Sequence, residues 1–366
     1  MAIDPHPKEP IPGRGGGAAP PTAMPDIPRG AERGPWYLAY KRFVRNRLAV
    51  AFLGLFILIV LFVLAAPLWA HHVAHTGPNQ SHTLEKLHVN GEVREVVTPE
   101  GRPIGPQWFE AGGKFFLGAD SRLGRDEMVR LMYGGRTSLF IGVVSGLITT
   151  ILAVVLGLLA GYYKGWVDAV IARTLDVLWS LPVLLFGIAL GVSLAVGGLK
   201  IGPLELSGGS IWVPIFVISI FTVPYVARPI RGEVLALGQK EFVEAAIAQG
   251  AGSVRVMFGE ILPNLASTII VFFALNIANN MLFEAALSFL GAGVQPPNSS
   301  WGTMISIGEE LLTTEPLLAI IPGVMILLTV LSLNIVGDGL RDALDPRAKV
   351  RLEVRAGIAE PEGTPI

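Results

Sequence analysis

No cysteine occurs among the 366 residues, which excludes disulfides, thiolate metal sites and a cysteine nucleophile. That absence leaves the compartment open. Charge is also scarce: Asp, Glu, Lys and Arg make up 16% of the chain against 51% hydrophobic residues, and long stretches carry none at all. Such a distribution fits several membrane-spanning helices rather than one large soluble core. A net charge of −1 gives no basis for a nucleic-acid partner. Catalytic signatures are missing too, with no phosphate-binding glycine loop, no nucleophile elbow and no HExxH pair. The chain is therefore not expected to be an enzyme or to hydrolyse ATP by itself, and no cofactor is expected on it. His71, His72, His75, His82 and His88 invite a metal reading, because histidines four apart on a helix can share an ion. No helix is assured there and no acidic residue stands close enough to complete a shell, so a solvated loop and no metal site are expected.

What is present is a series of apolar runs with polar punctuation. Residues 1–35 are rich in Pro and Gly and poor in large apolar side chains, which predicts a disordered tail. The layout of a cleaved signal peptide is absent, since the first apolar run starts only at Leu48 and is too long. Leu48–Trp69 is 22 residues without a charge, enough at ~1.5 Å per residue to cross a hydrocarbon core of ~30 Å. Lys41, Arg42, Arg45 and Arg47 crowd its front edge and place the N-terminus in the cytoplasm. Trp36, Tyr37 and Tyr40 fit an interfacial anchor. Further spans are expected over Thr137–Tyr163, Val170–Val196, Ile211–Ala227, Asn264–Leu290 and Pro316–Val336. Six crossings return the C-terminus to the cytoplasm, in agreement with Arg341, Arg347, Lys349 and Arg351.

The predicted division is a tail over 1–35, a first-span region over 36–69, and an extracytoplasmic loop with an interfacial helix over 70–136. A five-span core follows over 137–347 and a cytoplasmic tail over 348–366. Within the outer loop, the alternating runs between Val89 and Lys114 suggest a small hairpin. Pro182, Pro224 and Pro322 lie inside spans and are expected to bend them, and Arg173 and Asp176, one turn apart, are expected to pair.

The stretch 228–263 is the cytoplasmic loop in that topology, yet it reads as ordered. Phe242, Ala245, Ala246 and Gln249 share one helical face, with Gly250 placed to end the helix at positive φ. Ser253 can cap a second short helix with an apolar stripe of Val254, Met257, Phe258 and Ile261, and Pro263 opens the next span. The expectation is two short helices at right angles, forming a docking handle.

This stretch resembles a family signature. Glu244-Ala245-Ala246, three residues, Gly250, and then Leu262-Pro263 match the EAA loop of ABC importer permeases, although Glu260 stands where the general pattern carries Ile. Three further motifs resemble the dipeptide/oligopeptide branch of that family. They run from Leu117-Gly118-Ala119-Asp120 through Gly124-Arg125-Asp126, Arg130 and Arg136 to Ser138-Leu139. They continue in Ser288-Phe289-Leu290-Gly291 with Gln295-Pro296-Pro297 and Trp301-Gly302, and in Gly337-Asp338-Gly339 with Asp345-Pro346-Arg347. The four occur in the family's order.

The resemblance implies an all-α integral membrane protein with six transmembrane helices of the type I importer permease fold, in the bacterial plasma membrane. It implies a second homologous permease, two cytosolic ATPases carrying ATP and Mg²⁺, an extracytoplasmic substrate-binding protein, and peptides as cargo. Glu244, Ala245, Ala246, Gly250, Leu262 and Pro263 would then couple the chain to the ATPases. Nickel or another small solute is the alternative cargo, and a secondary transporter or channel is the alternative class.

Two groups stay open between readings. Arg125, Asp126, Arg130 and Arg136 belong to an outer interface or gate, or to an amphipathic helix that only seats the second span. Asn276, Asn280, Glu284 and Ser288 recur every four residues, so they share a face that lipid cannot accept. They either line the translocation pathway or act as hydrogen-bond glue between helices.

Overall fold

The computed structural model describes residues 35–344, apart from 90–91, 198, 202–203 and 207–209. The expected tails over 1–35 and 348–366 and the Asp345-Pro346-Arg347 motif lie outside those residues, Pro35 excepted. Helix dominates, as the sequence predicts. Helix α1 (Pro35–Arg45) leads through the Asn46 cap, whose Oδ1 accepts from Ala49 N at 3.2 Å, into the first span, α2 (Arg47–Leu64). A short helix, α3 (Ala66–His72), continues it outward, with Pro67 in its first turn, where a missing N–H costs nothing.

The outer segment then forms a small β-hairpin, β1 (Lys86–Val89) with β2 (Glu92–Glu95), slightly earlier than the alternation suggests. Lys114–Leu117 is not a strand but part of a run of turns, and it supplies Phe115 to a small core with Val96, Ile104 and Ala119.

The second span is part of α4 (Glu127–Tyr163), a 37-residue helix that absorbs the stretch read as a separate interfacial helix. The physical reason is that its first turns are buried on several sides, so they do not lie on a membrane surface. The third span is broken. Helices α5 (Gly165–Ser180) and α6 (Val183–Gly197) meet at 81° across Leu181-Pro182, where the proline ring and its effect on the preceding residue forbid a continuous helix. A short two-strand ribbon, β3 (Leu199–Ile201) and β4 (Leu204–Leu206), follows. Helix α7 (Trp212–Leu237) carries Pro224 and Pro229 inside it, and α8 (Glu241–Ala248) is the first helix of the loop expected on the cytoplasmic side.

Beyond α8 the second predicted short helix is not free-standing. Ser253–Arg255 (α9), a π segment Val256–Ile261 and α10 (Leu262–Phe289) run as one 37-residue helical stretch. Pro263 has no N–H to give, and the wider turn just before it, with Leu262 N bonded to Met257 O, lets the helix start below the proline and pass it. The chain then turns back as α11 (Trp301–Glu309) and closes with α12 (Leu317–Leu344), which contains Pro322. Among the described residues, five helices are long and apolar enough to span a membrane, or six with the bent α5–α6 pair.

Helix α4 is the spine, packed against both α7 and α10, which also touch each other. Its glycines let those helices come close. A Cβ on Gly142 would stand 2.4 Å from Met281 Cγ, on Gly157 2.7 Å from Ile230 Cγ2, and on Gly161 2.7 Å from Val234. Hydrogen bonds add specificity where apolar contact cannot discriminate protein from lipid. Thr149 Oγ1 donates to Ser219 O at 3.0 Å and lies 2.9 Å from Thr222 Oγ1, tying α4 to α7. Trp301, fully buried, donates from Nε1 to Leu131 O at 2.9 Å, which seats α11 in the bundle.

Candidate functional site

The handle is built from Lys240 onward. Helix α8 starts with Glu241 and Glu244 in its first turn, the arrangement that suits the positive end of a helix dipole. It ends in a Schellman turn: Gly250 N donates to Ile247 O at 2.9 Å and Ala251 N to Ala246 O at 3.0 Å. Gly250 sits at φ +83°, the left-handed conformation that glycine adopts without a Cβ penalty. The sequence expectation of a helix closed by Gly250 holds.

Only Val243 of α8 is buried, in a core made with Leu175, Val226, Val256, Ile261 and Leu265 from α5, α7, the π segment and α10. Glu244, Ala245, Gly250 and Pro263 are exposed, and Ala246 and Leu262 are half-buried. Around them Phe242, Ile247, Val254 and Phe258 stand between 39% and 66% exposed. The handle is thus pinned to the bundle at one point and shows large apolar side chains elsewhere.

Behind it, α5 is fastened to α7 by two ion pairs on successive turns. Arg231 makes a two-pronged contact with Asp168, Nη2 lying 2.6 Å from Oδ2. Arg228 Nη2 lies 2.9 Å from Asp176 Oδ1, with its guanidinium 5.2 Å over the Trp179 ring. Asp176 therefore pairs with Arg228, not with Arg173. The i,i+3 spacing on one helix made Arg173 the visible partner, and the tertiary neighbour on α7 outcompetes it.

The polar stripe of α10 is fully buried against α4. Asn280 Nδ2 donates to Ser145 Oγ at 3.0 Å, and Asn276 Nδ2 points to Gly146 O at 3.5 Å. Ser288 Oγ donates to Glu284 Oε1 at 2.7 Å and accepts from Val294 N at 3.0 Å, so it also fixes the loop that leaves α10. That loop begins with a second Schellman turn at Gly291, φ +78°, and contains a cis peptide at Pro296-Pro297. It ends at Ser300, whose side chain and that of Thr303 form a capping box on α11.

At the outer end, the group Arg125, Asp126, Arg130 and Arg136 separates into two environments. Asp126 caps α4, accepting from Val129 N at 3.0 Å with Oδ1 and from Phe115 N at 2.6 Å with Oδ2. Burial pushes its carboxyl up, against the backbone donors that pull it down. Arg125 Nε and Nη2 both lie 2.5 Å from buried Asp120 Oδ2, and Arg130, also buried, donates to Pro78 O at 3.2 Å. These three form a clasp between the outer segment and the head of α4, not the basic face of an interfacial helix. Arg136 alone is exposed, 5.6 Å over the Tyr133 ring.

The same segment holds a network that the sequence does not display. His82 is buried, with Nε2 2.6 Å from Thr76 Oγ1 and Nδ1 2.6 Å from Glu85 Oε2, and Glu85 Oε1 pairs with Lys114 at 2.5 Å. Burial, and then the Lys114 charge, push His82 below the usual histidine value, although Glu85 pulls the other way. The solvated-loop expectation thus fails for His82, and so does the expectation that no acidic residue stands close, since Glu85 is three residues on.

Comparison with known proteins agrees with this architecture. Residues 153–350 match the family of binding-protein-dependent transport system inner membrane components, and residues 34–84 match the N-terminal transmembrane domain of oligopeptide transport permease C. The glutathione transport system permease protein GsiD of Pectobacterium atrosepticum is 36% identical over 328 residues, covering 90% of this chain and 96% of that protein. The dipeptide transport system permease protein DppC of Alkalihalophilus pseudofirmus is 34% identical, covering 86% and 91%. A putative peptide permease of Brucella ovis is 33% identical, covering 87% and 94%. A solved chain of the MetNI methionine ABC transporter aligns with a TM-score of 0.49 at 16% identity, over 60% of this chain and 97% of that one. With a family model over more than half its length and relatives matched nearly end to end, this chain belongs to the inner-membrane permease components of binding-protein-dependent transport systems.

Proposed function

We propose that the chain is one of two permease subunits of an ATP-driven importer of short peptides in the bacterial inner membrane. In that assembly α8 and its Gly250 turn carry the motion of cytosolic ATPases into the bundle. The observation behind this reading is the handle itself. A polar loop that leaves Phe242, Ile247, Val254 and Phe258 in water is unfavourable unless another protein covers them. An isolated secondary transporter or channel gives no reason for such a surface.

The path inward from the handle is short. Val243 joins α8 to the core shared by α4, α5, α7 and α10, while the Asp168–Arg231 and Asp176–Arg228 pairs make α5 and α7 move together. ATP and Mg²⁺ would bind on the partner subunits, and closure of those subunits would rock this chain as a body against its sister permease. Lys41, Arg42, Arg45 and Arg47 at the start of α2 support a cytosolic position for that end, and for the handle with it. An extracytoplasmic binding protein would deliver the cargo to the opposite face. The substrate class rests on relatives named for glutathione and dipeptide transport, both peptide cargo. We assign the α10 stripe to holding α10 on α4, since Asn276 and Asn280 bond across that contact.

The test is purification in mild detergent from native membranes, followed by uptake in proteoliposomes. The expected result is co-elution with a second permease and ATPase subunits, and dipeptide or glutathione uptake that stops without ATP. Elution alone, with uptake driven by an ion gradient and indifferent to ATP, would overturn the reading.

A further inference from the structure

Between the hairpin and α4 lies a tip, residues 107–116, whose backbone is held in an uncommon form. Trp108 and Phe115, neither of them glycine, adopt φ of +50° and +54°. Left-handed backbone at a bulky residue is unfavourable, and it persists only where the surroundings over-determine it. Here they do. Gln107 N and Trp108 N donate to Phe115 O and Phe116 O, each at 3.2 Å, and Phe115 N is held by Asp126.

The consequence is the direction of the side chains. Phe115 turns into the small core, whereas Trp108 and Phe109 are left 53% and 69% exposed. Their rings pack edge-on against Phe116, with centroids 5.2 and 5.0 Å away, and Phe116 in turn packs edge-on against Trp69 at 5.6 Å. Trp69 belongs to α3, directly beyond the first span, and the tip is seated there closely. A Cβ on Gly113 would stand 2.5 Å from Val73 Cγ1. The aromatic group is thus continuous with the outer end of α2, whose surface is largely open to lipid.

We propose that Trp108 and Phe109 form a loop-borne anchor that enters the headgroup layer of the outer leaflet, beside the first span. Trp and aromatic rings favour that layer because an apolar body and a polar edge are both accommodated there. Glu110 follows them in the tip, so the anchor stays at headgroup depth and does not reach the hydrocarbon. The occupant is phospholipid, and the anchor sets the height of the outer segment over the membrane.

The natural absence of cysteine makes the test direct. Phe109→Cys, Leu84→Cys and Leu61→Cys are spin-labelled in the full chain with its co-purifying subunits, in nanodiscs of phosphatidylcholine and phosphatidylglycerol. Unsubstituted chain serves as the background. Leu84, almost wholly exposed, is the water reference, and Leu61 on α2 is the lipid reference. A label at 109 is expected to show a ratio of oxygen to water-soluble nickel chelate relaxation between those at 61 and 84, as headgroup depth requires. Chelate access equal to that at 84, or protection from both agents through contact with another protein, would overturn the proposal. As a second readout, Trp108→Phe is expected to remove tryptophan emission that brominated lipid quenches. Loss of only unquenchable emission would count against the anchor.

Discussion

The turn at Gly250 isolates backbone strain from packing. A Cβ placed on Gly250 meets no heavy atom within 4 Å, so substitution there creates no clash, and the same is true of Gly252 two residues on. The two positions differ in conformation: Gly250 is at φ +83°, whereas Gly252, the cap of α9, is at φ −70°. Alanine at 250 should therefore cost about 1–2 kcal/mol from the left-handed backbone alone, and alanine at 252 a few tenths.

Since ~1.4 kcal/mol is a factor of ten, the folded turn at 250 loses about 5- to 30-fold in population relative to its alternatives. The handle has little to offset this, because Val243 is the only side chain of α8 buried in the bundle. Valine at 250 should be worse, its branched Cβ fitting left-handed backbone poorly. The assay is peptide uptake and ATPase stimulation in proteoliposomes, with membrane insertion checked by accessibility labelling. Gly250→Ala is expected to lower uptake several-fold, Gly250→Val to abolish it, and Gly252→Ala to behave as wild type, all three inserting normally. Equal effects at 250 and 252, or normal uptake by Gly250→Val, would refute the role of the turn.

Other consequences follow from buried contacts. Ser288→Ala leaves both Glu284 Oε1 and Val294 N without the partner that serves them, at about 1–3 kcal/mol each. It should lower the detergent Tm clearly more than Thr150→Ala, whose hydroxyl only bonds back to Gly146 O of its own helix. Gly135→Ala drives a Cβ to 2.6 Å from Trp301 Cζ2 and 2.7 Å from Val63 Cγ2, an overpacking cost of about 1–3 kcal/mol. Gly54→Ala, in open space on α2, should instead be neutral or stabilise by roughly 0.5–1 kcal/mol, and the two Tm shifts should differ in sign or size.

The outer segment should also loosen in acid. Burial holds His82 below its ordinary value, so the unfolded segment takes up a proton at a higher pH than the folded one. Stability is then full above about pH 6.5 and falls as the pH drops below it. Hydrogen-exchange protection factors over residues 76–124, corrected for the intrinsic rate, should fall between pH 7.5 and 5.5, and His82→Gln should flatten that change.

The spans, the handle and its closing glycine were legible because each leaves a local mark: an uncharged run, a 3.6-residue stripe, a glycine where the stripe stops. What stayed hidden is what depends on distant partners. Nothing local told that Asp176 would meet Arg228 across 52 positions. Thr76 and Glu85 stand within six residues of His82, but their spacing carries no sign of the burial that encloses it. The basic run Arg125, Arg130 and Arg136 looked amphipathic because sequence shows charge and not burial. Asp120, five residues before Arg125, was the available sign that the arginines might be consumed in a clasp. The break at Pro182 was foreseeable as a bend, but Pro224 and Pro322 carry the same residue inside continuous helices, since neighbouring helices hold those turns in place.

Helix α4 shows why its close-packed glycines matter to the site far away. Its outer end is fixed by the Asp126 cap and by Trp301, its middle by Ser145 and Thr149, and its inner end by the close approach of Gly157 and Gly161 to α7. A helix so restrained along its whole length is poorly suited to bend. A displacement of α8 that reaches α7 through Val243 and the core around Ile230 and Val234 must then move α4 as a rod. The outer clasp and the aromatic tip, which rest on the head of that rod, would follow it. The handle and the segment ahead of α4 are in this way joined through one helix, and strain applied at Gly250 has a physical route to the face where, on the proposed function, a binding protein would deliver cargo.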